Sequence, residues 1–231
     1  MIYVGVDDTD APGVPGTNKL ARRILPRLRA CGPTFGITRH QLLVDPRIRY
    51  TSKNSSAAIM LRNGAARPAD GIAQALRRAL AAGCAEGSDP AFCVAEEVAA
   101  EVTAFGRRAQ SEVLNAGEAL ALAVRCGLLL ESVAGDGSGV VGALAAVGLA
   151  AAGDDGRFVQ LGDWPDDLSG RQPARLLRRR GVDAFIQEGG RRSVEPDEVD
   201  VGKRLRPNYR GGRVALYVRE GAAGWQAVRH P

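Results

Sequence analysis

The feature that most limits how this chain can fold is its opening stretch, Ile2-Tyr3-Val4-Gly5-Val6, an apolar run that ends abruptly in Asp7-Asp8-Thr9-Asp10. Branched and aromatic residues bounded by polar turn formers read as a short buried strand. Carboxylates at the carboxyl end of a strand lie where open α/β sheets place their sites. A loop containing Gly13 and Gly16 follows, and Thr17 and Asn18 open a helix. On that helix, Thr17 to Ala30, the residues Leu20, Ile24, Leu25 and Leu28 recur on one face and Lys19, Arg22, Arg23 and Arg27 on another, with Pro26 as a source of strain.

Farther along, Thr34 to Val44 has strand character and carries Thr38, Arg39 and His40. Asp45-Pro46 interrupts it, and the basic polar segment Arg47 to Asn54 connects to an alternating strand at Ser55 to Leu61. Residues 69–82 form a helix stopped by Gly83, and Ala91 to Val94 a strand. The helical pattern returns from Ala95 to Gly127, with a break expected near Gly106 and a restart near Ser111, before a short strand at Leu128 to Val133. A strand–helix–strand unit followed by helices between residues 54 and 127 is compatible with a small ferredoxin-like insertion. Gly135-Asp136-Gly137-Ser138-Gly139 then opens a helix of very small residues, Val140 to Gly148, of a kind that can lie close against a sheet. The remainder reads as a strand at Phe158 to Leu161, a basic helix at Arg171 to Arg180, and strands at Val182 to Ile186, Val199 to Arg204, Arg213 to Arg219 and Trp225 to Val228.

A chain of 231 residues allows one or two domains and a proper core. Its formal charge of +5 fits an anionic partner such as a nucleotide or RNA, or simply arginine used for solubility. Cys31, Cys84, Cys93 and Cys126 stand alone and the two histidines are scattered, so no structural zinc site is readable and free thiols in a reducing cytoplasm are expected. No secretory signal is expected at the start. The uncharged run from Gly137 onward is too short for a membrane span, which makes a core helix the better assignment.

Asp7, Asp8 and Asp10 repel one another unless something positive compensates, and Mg²⁺ with nucleotide phosphates is a natural compensation. The alternative is turn-forming and capping aspartates beside Gly and Pro. Glycine loops let backbone N–H groups approach phosphate at a helix N-terminus, which makes Gly135, Gly137, Ser138 and Gly139 a candidate nucleotide cradle, although the loop does not match G-x-x-x-x-G-K-[ST]. Thr17 reads either as a nucleophile or phosphate ligand or as an ordinary N-cap. Lys53 and Asn54 lie in a linker that either faces the site or is a solvated connection. Arg175, Arg178, Arg179 and Arg180 are either an RNA contact or a solvated helix end, and His40 is either a proton-transfer group or a satisfied histidine on a half-buried strand.

In this order the motifs resemble those of the archaeal isoleucine-tRNA agmatinylcytidine synthetase family, whose catalytic region begins with G-[IV]-D-D-T-D, here Gly5-Val6-Asp7-Asp8-Thr9-Asp10. Its later glycine loop and G-A-L-A-A-[IV]-G helix are similar to Gly135 to Gly139 and Gly142-Ala143-Leu144-Ala145-Ala146-Val147-Gly148. The resemblance implies an α/β fold with a kinase-like domain binding ATP and Mg²⁺, at residues 1–53 and 128–231, and an inserted ferredoxin-like domain at 54–127 that helps hold agmatine. It assigns phosphate chemistry to Thr17, and its basic segment before the insertion is loosely similar to Lys53-Asn54-Ser55. The family continues into an OB-fold and a zinc ribbon that grip tRNA, whereas this chain ends before them. Two functions follow as expectations. One is ATP- and Mg²⁺-dependent activation of an acceptor, by phosphoryl transfer or by conjugation of agmatine or a similar polyamine, with tRNA as a partner. The other is a non-catalytic nucleotide- or amine-binding module that works with a separate RNA-binding partner.

Overall fold

The computed structural model describes residues 1–7, 16–50, 53–62, 69–190 and 192–229. Asp8 and Asp10 therefore lie outside the described residues. The opening run is strand β1 (Ile2–Asp7), followed by helix α1 (Thr17–Leu28), strands β2 (Thr34–Gln41) and β3 (Ser55–Leu61), helix α2 (Ala69–Gly83) and strand β4 (Ala91–Ala95). All neighbours are antiparallel, in the order β4-β1-β3-β2, with Val4 opposite both Ile59 and Val94. This β-α-β-β-α-β arrangement is the split, ferredoxin-like motif. It is assembled from residues 2–95 and threads through β1, whereas a ferredoxin-like unit was expected at 54–127. The reason is that β3 and β4 carry apolar residues on both faces, and the place that hides both faces is beside the equally apolar β1.

Alternation along β1 divides its side chains between two layers. Val4 and Val6 point to α1 and α2, where Ile24, Leu28, Leu76, Leu80 and Phe92 are buried with them. Tyr3, Gly5 and Asp7 face the other side, which is covered by α3 (Ala100–Arg108), α4 (Ala116–Arg125) and α5 (Val140–Ala152), after the short strand β5 (Leu129–Ser132) at the sheet edge. Each fully buried Leu, Ile or Phe in these layers contributes about 1.5–3 kcal/mol relative to exposure.

The small residues of α5 are explained by how near its neighbours come. A Cβ at Gly5 would overlap the carbonyl of Ala143, and one at Gly148 would overlap the carbonyl of Val102. Helix α5 thus lies backbone to backbone against β1 on one side and α3 on the other. Gly106, expected to break the helix, sits inside α3, where a Cβ would come within 2.9 Å of the Ala145 carbonyl oxygen. The actual break spans residues 109–115, and α4 restarts where Asn115 accepts from the backbone N–H of Glu118 at 3.0 Å.

Strand β6 (Arg157–Leu161) pairs with β2 and carries the sheet into the C-terminal third through β7 (Arg171–Pro173), β8 (Ala184–Gln187), β9 (Ser193–Val194), β10 (Glu198–Asp200), β11 (Asn208–Arg210), β12 (Arg213–Gly221) and β13 (Gly224–Ala227). The expected helix at 171–180 is shortened to α6 (Ala174–Arg179) because residues 171–173 pair with β10 as an edge strand, a position that tolerates Pro173. Leu177, Phe185, Val199, Leu216 and Val218 form a separate cluster there. Phe35, Phe158 and Tyr209 meet in tilted and edge-to-face contacts, with centroids 5.5–5.7 Å apart, between the two halves of the sheet. Among the described residues no helix is long and apolar enough to cross a membrane.

Candidate functional site

The carboxyl end of β1, the N-terminus of α5, residues 47–50 and 53–55, and the segment 109–116 line an open cavity of about 370 Å³. Its lining includes Asp7, Lys53, Asn54, Asp136, Ser138 and Gly139, so five of the residues singled out in the sequence converge there. Thr17 does not line it. That residue is buried at the first position of α1, and the N-cap position belongs to Gly16.

Asp7 arrives through the alternation of β1, which turns its carboxylate toward α5. Gly142, in the first turn of α5, provides the room: a Cβ there would overlap Asp7 Oδ2. A carboxylate against a helix N-terminus is favoured by the partial positive charge of the unpaired N–H groups.

The glycine loop is shaped from beneath by Asp89, a residue with no motif to mark it in the sequence. Asp89 is 2% exposed, and its carboxylate accepts from the backbone N–H groups of Asp136 and, at 3.4 Å, Gly137, and from the Ser138 hydroxyl at 3.2 Å. Gly135 (φ +79°) passes over it, where a Cβ would collide with the Asp89 carboxylate, and Gly137 (φ +86°) makes the second left-handed turn. Gly135 and Gly137 therefore form the loop without lining the cavity, and two of the N–H groups that a phosphate cradle needs are directed to Asp89. Asp136 turns outward into the cavity and accepts from the Ser138 backbone N–H at 2.9 Å, which together with the Ser138 hydroxyl holds its carboxyl below the usual range.

The opposite wall is cationic and apolar. Arg47 is held by Asp45 through contacts of 2.8 and 2.9 Å, which depress the Asp45 carboxyl to about 2. Arg49 reaches the Gly87 carbonyl and lies 3.6 Å from Asp89 Oδ2. Lys53 is exposed and forms no ion pair with another described residue. Asn54 is tied to the hairpin by donating to the Leu43 carbonyl at 2.7 Å, which fixes the base of this wall. Tyr50, Val113 and Leu114 supply apolar surface.

The donor set suits Mg²⁺, which is usually held by one or two carboxylates with phosphate oxygens and water, since Asp7 and Asp136 line the same cavity. Among the described residues no group of three His, Cys, Asp or Glu side chains is placed to hold a metal by itself. The four cysteines are free thiols, and burial pushes that of Cys93 up to about 12.

His40 belongs to another place. It is fully buried, contacts Asp155 through Nδ1 at 2.6 Å and Thr38 through Nε2 at 2.8 Å, and joins β2 to the loop after α5 as a satisfied histidine. In the basic helix, Arg178 pairs with Glu195 at 2.5 Å and Arg180 with Asp167 at 3.2 Å, the latter also stacking on Trp164.

No protein-family model and no curated protein matches the chain. Solved structures do match. They include a tRNA fluorescent labeling enzyme (25% identity, TM-score 0.55, covering 64% of this chain and 35% of that one). The TiaS–tRNA(Ile2)–ATP complex matches at 25% identity and a TM-score of 0.56, covering 64% of this chain and 36% of that one. Apo TiaS, a tRNA(Ile2) agmatidine synthetase, matches at 25% identity and a TM-score of 0.54, covering 64% and 35%. The chain thus spans about a third of the length of these proteins. Over 64% of its length, this chain is similar in fold to the tRNA(Ile2) agmatidine synthetase TiaS, whose family its acidic and glycine motifs resemble.

Proposed function

We propose that the chain is an ATP-using enzyme of the TiaS type that acts on RNA, with the 370 Å³ cavity as its nucleotide site. The observation that carries this reading is the convergence of Asp7, Lys53, Asn54, Ser138 and Gly139, drawn from three distant parts of the sequence, on one cavity at the N-terminus of α5. The likeness to a TiaS structure in complex with tRNA and ATP supports it.

In this reading the triphosphate lies over the start of α5, where the helix end favours anions. Lys53, Arg47 and Arg49 form the cationic wall beside it. Asp7 and Asp136 would hold Mg²⁺, with the sequence-adjacent Asp8 and Asp10 as further candidates, and the ion would supply charge neutralisation on the phosphates. Tyr50, Val113 and Leu114 cover the base and exclude water. Thr17, buried at the start of α1, lies outside the cavity lining. The acceptor is activated by phosphoryl transfer or conjugated to an amine such as agmatine.

One observation favours the second reading, a nucleotide- or amine-binding module without catalysis: Asp89 already occupies the N–H groups of residues 136 and 137. Calorimetric titration with Mg-ATP, and ATP turnover with and without agmatine and tRNA, separate the two. In the first reading Asp7→Asn lowers turnover with little change in unfolding temperature, and Gly142→Ala, whose methyl overlaps Asp7 Oδ2, lowers Mg-ATP affinity. Binding of Mg-ATP without turnover in any combination leaves the module reading; no ATP binding refutes the enzyme reading, and no binding of either ATP or agmatine refutes both.

A further inference from the structure

On the sheet face that carries α1, away from the cavity, arginines gather with little acid among them. Arg39 on β2 and Arg157 on β6 are directly opposite in the antiparallel register, a placement in which like charges repel. Their side chains fall on the same face as Ile37 and Val159, which pack beneath α1. Arg39 donates to Ser55 at 3.0 Å and Gln41 at 2.8 Å, neutral acceptors both, and neither arginine forms an ion pair with another described residue.

The cluster continues beside Arg157. The Phe158 N–H donates to the Pro207 carbonyl at 2.8 Å, bringing Arg206 alongside. Arg206, Arg22 and Arg204 all converge on the single carboxylate of Asp166, at 2.7–2.9 Å. Arg22 also reaches the Val159 carbonyl and so stays against β6. Burial first, and then the cations Arg229, Arg39 and Arg206, lower the Arg157 pKa, which places the exposed Arg229 in the same field.

These six arginines and one aspartate by themselves account for the formal charge of +5 carried by the whole chain of 31 basic and 26 acidic residues. The basic helix α6 has its charge partly answered by Glu195 and Asp167. Arginines opposed across a strand pair without a carboxylate between them leave an electrostatic cost that a polyanion lying along them removes.

We propose that the strip formed by Arg39, Arg157, Arg206, Arg204, Arg22 and Arg229 is a docking surface for the phosphate backbone of RNA. It extends the RNA part of the functional reading above; none of the six arginines lines the cavity, and Arg39 meets its rim through Ser55. Backbone contacts of this kind position a strand without reading its sequence.

The test is fluorescence anisotropy of a labelled oligo-uridine strand as a function of salt, using the full chain, with a deoxythymidine strand and polyglutamate as competitors. Removing two phosphate contacts with Arg39→Gln/Arg157→Gln lowers the slope of log K against log salt by about 1.4 on a single strand, and weakens binding roughly tenfold or more at low salt. The substitutions relieve the repulsion between Arg39 and Arg157 but remove the hydrogen bonds from Arg39 to Ser55 and Gln41, so the unfolding temperature is read on each variant and the salt slope is compared only between folded proteins. Arg204→Gln/Arg229→Gln, at exposed positions, gives a smaller loss of the same kind and serves if the first variant does not fold. No binding of either strand by the intact chain, an unchanged salt slope, or equal competition by polyglutamate overturns the proposal. Mg-ATP affinity measured on Arg204→Gln/Arg229→Gln, whose residues do not line the cavity, remains unchanged, so failure here and failure at the cavity are told apart.

Discussion

Replacing Asp89 by asparagine tests whether one buried carboxylate sets the shape of the glycine loop. The side chain keeps its volume and can still accept from the N–H groups of Asp136 and Gly137, but it loses its charge, and an NH₂ group replaces one of its oxygens. The Ser138 hydroxyl can rotate to accept from that group, so the hydrogen-bond count need not change. What changes is strength. Hydrogen bonds to charged groups contribute about 1.5–3 kcal/mol each and are roughly twice as strong as neutral ones, so halving two of them costs about 1.5–3 kcal/mol. Arg49, with its side chain 62% exposed, adds little because solvent screens it. In a chain of this size 1 kcal/mol moves the unfolding midpoint by about 2–4 °C, giving a fall of about 3–12 °C. Differential scanning calorimetry reads the midpoint, and titration with Mg-ATP on the same variant reads the site. The expected result is the thermal loss together with weaker nucleotide binding, because Asp136, Ser138 and Gly139 are placed by the same loop. A midpoint within about 1 °C of the wild type would mean that the loop is held by its own backbone and that the hydrogen-bond argument is wrong.

Two further outcomes are expected. Burial alone would raise the Asp155 carboxyl, but the hydrogen bonds from His40 and Gln110 hold it below the usual range, so it contributes stability present above the unfolded value and lost as pH falls through the folded one. The stability gap between wild type and Asp155→Asn, from urea midpoints, should therefore narrow as pH drops below about 4, and a gap that widens there refutes the linkage. For the thiols, alkylation of the native protein followed by mass spectrometry should label Cys84 and Cys126 first. Cys31 and Cys93 are buried and react only on unfolding, so fast native labelling of Cys93 would contradict its placement on a central strand.

Much of the local structure was legible in the sequence because it depends on short-range periodicity. The apolar run Ala57 to Leu61, the helical recurrence in Thr17–Leu28 and the Gly-rich start of α5 each specify their own element, although β3 is buried on both faces rather than alternating. Misreadings arose where a partner distant in sequence overrode the local signal. Gly106 looked like a helix break, yet it is the point at which α3 receives the backbone of α5. Arg171–Pro173 looked helical and is an edge strand because β10 pairs with it.

The sequence alone determined that an apolar strand ends in a run of aspartates, that a glycine loop precedes a helix of small residues, and that the chain carries excess positive charge. These are properties of residue type and spacing, and they survive in any fold that satisfies them. Only the tertiary structure decided that Asp7 meets Gly142 rather than solvent, that Asp89 sits beneath the loop, and that Arg39 lies opposite Arg157. Those relations depend on strand register and on how closely two backbones approach. Both are set by burying the faces of β1 from either side, which no local stretch of the chain encodes.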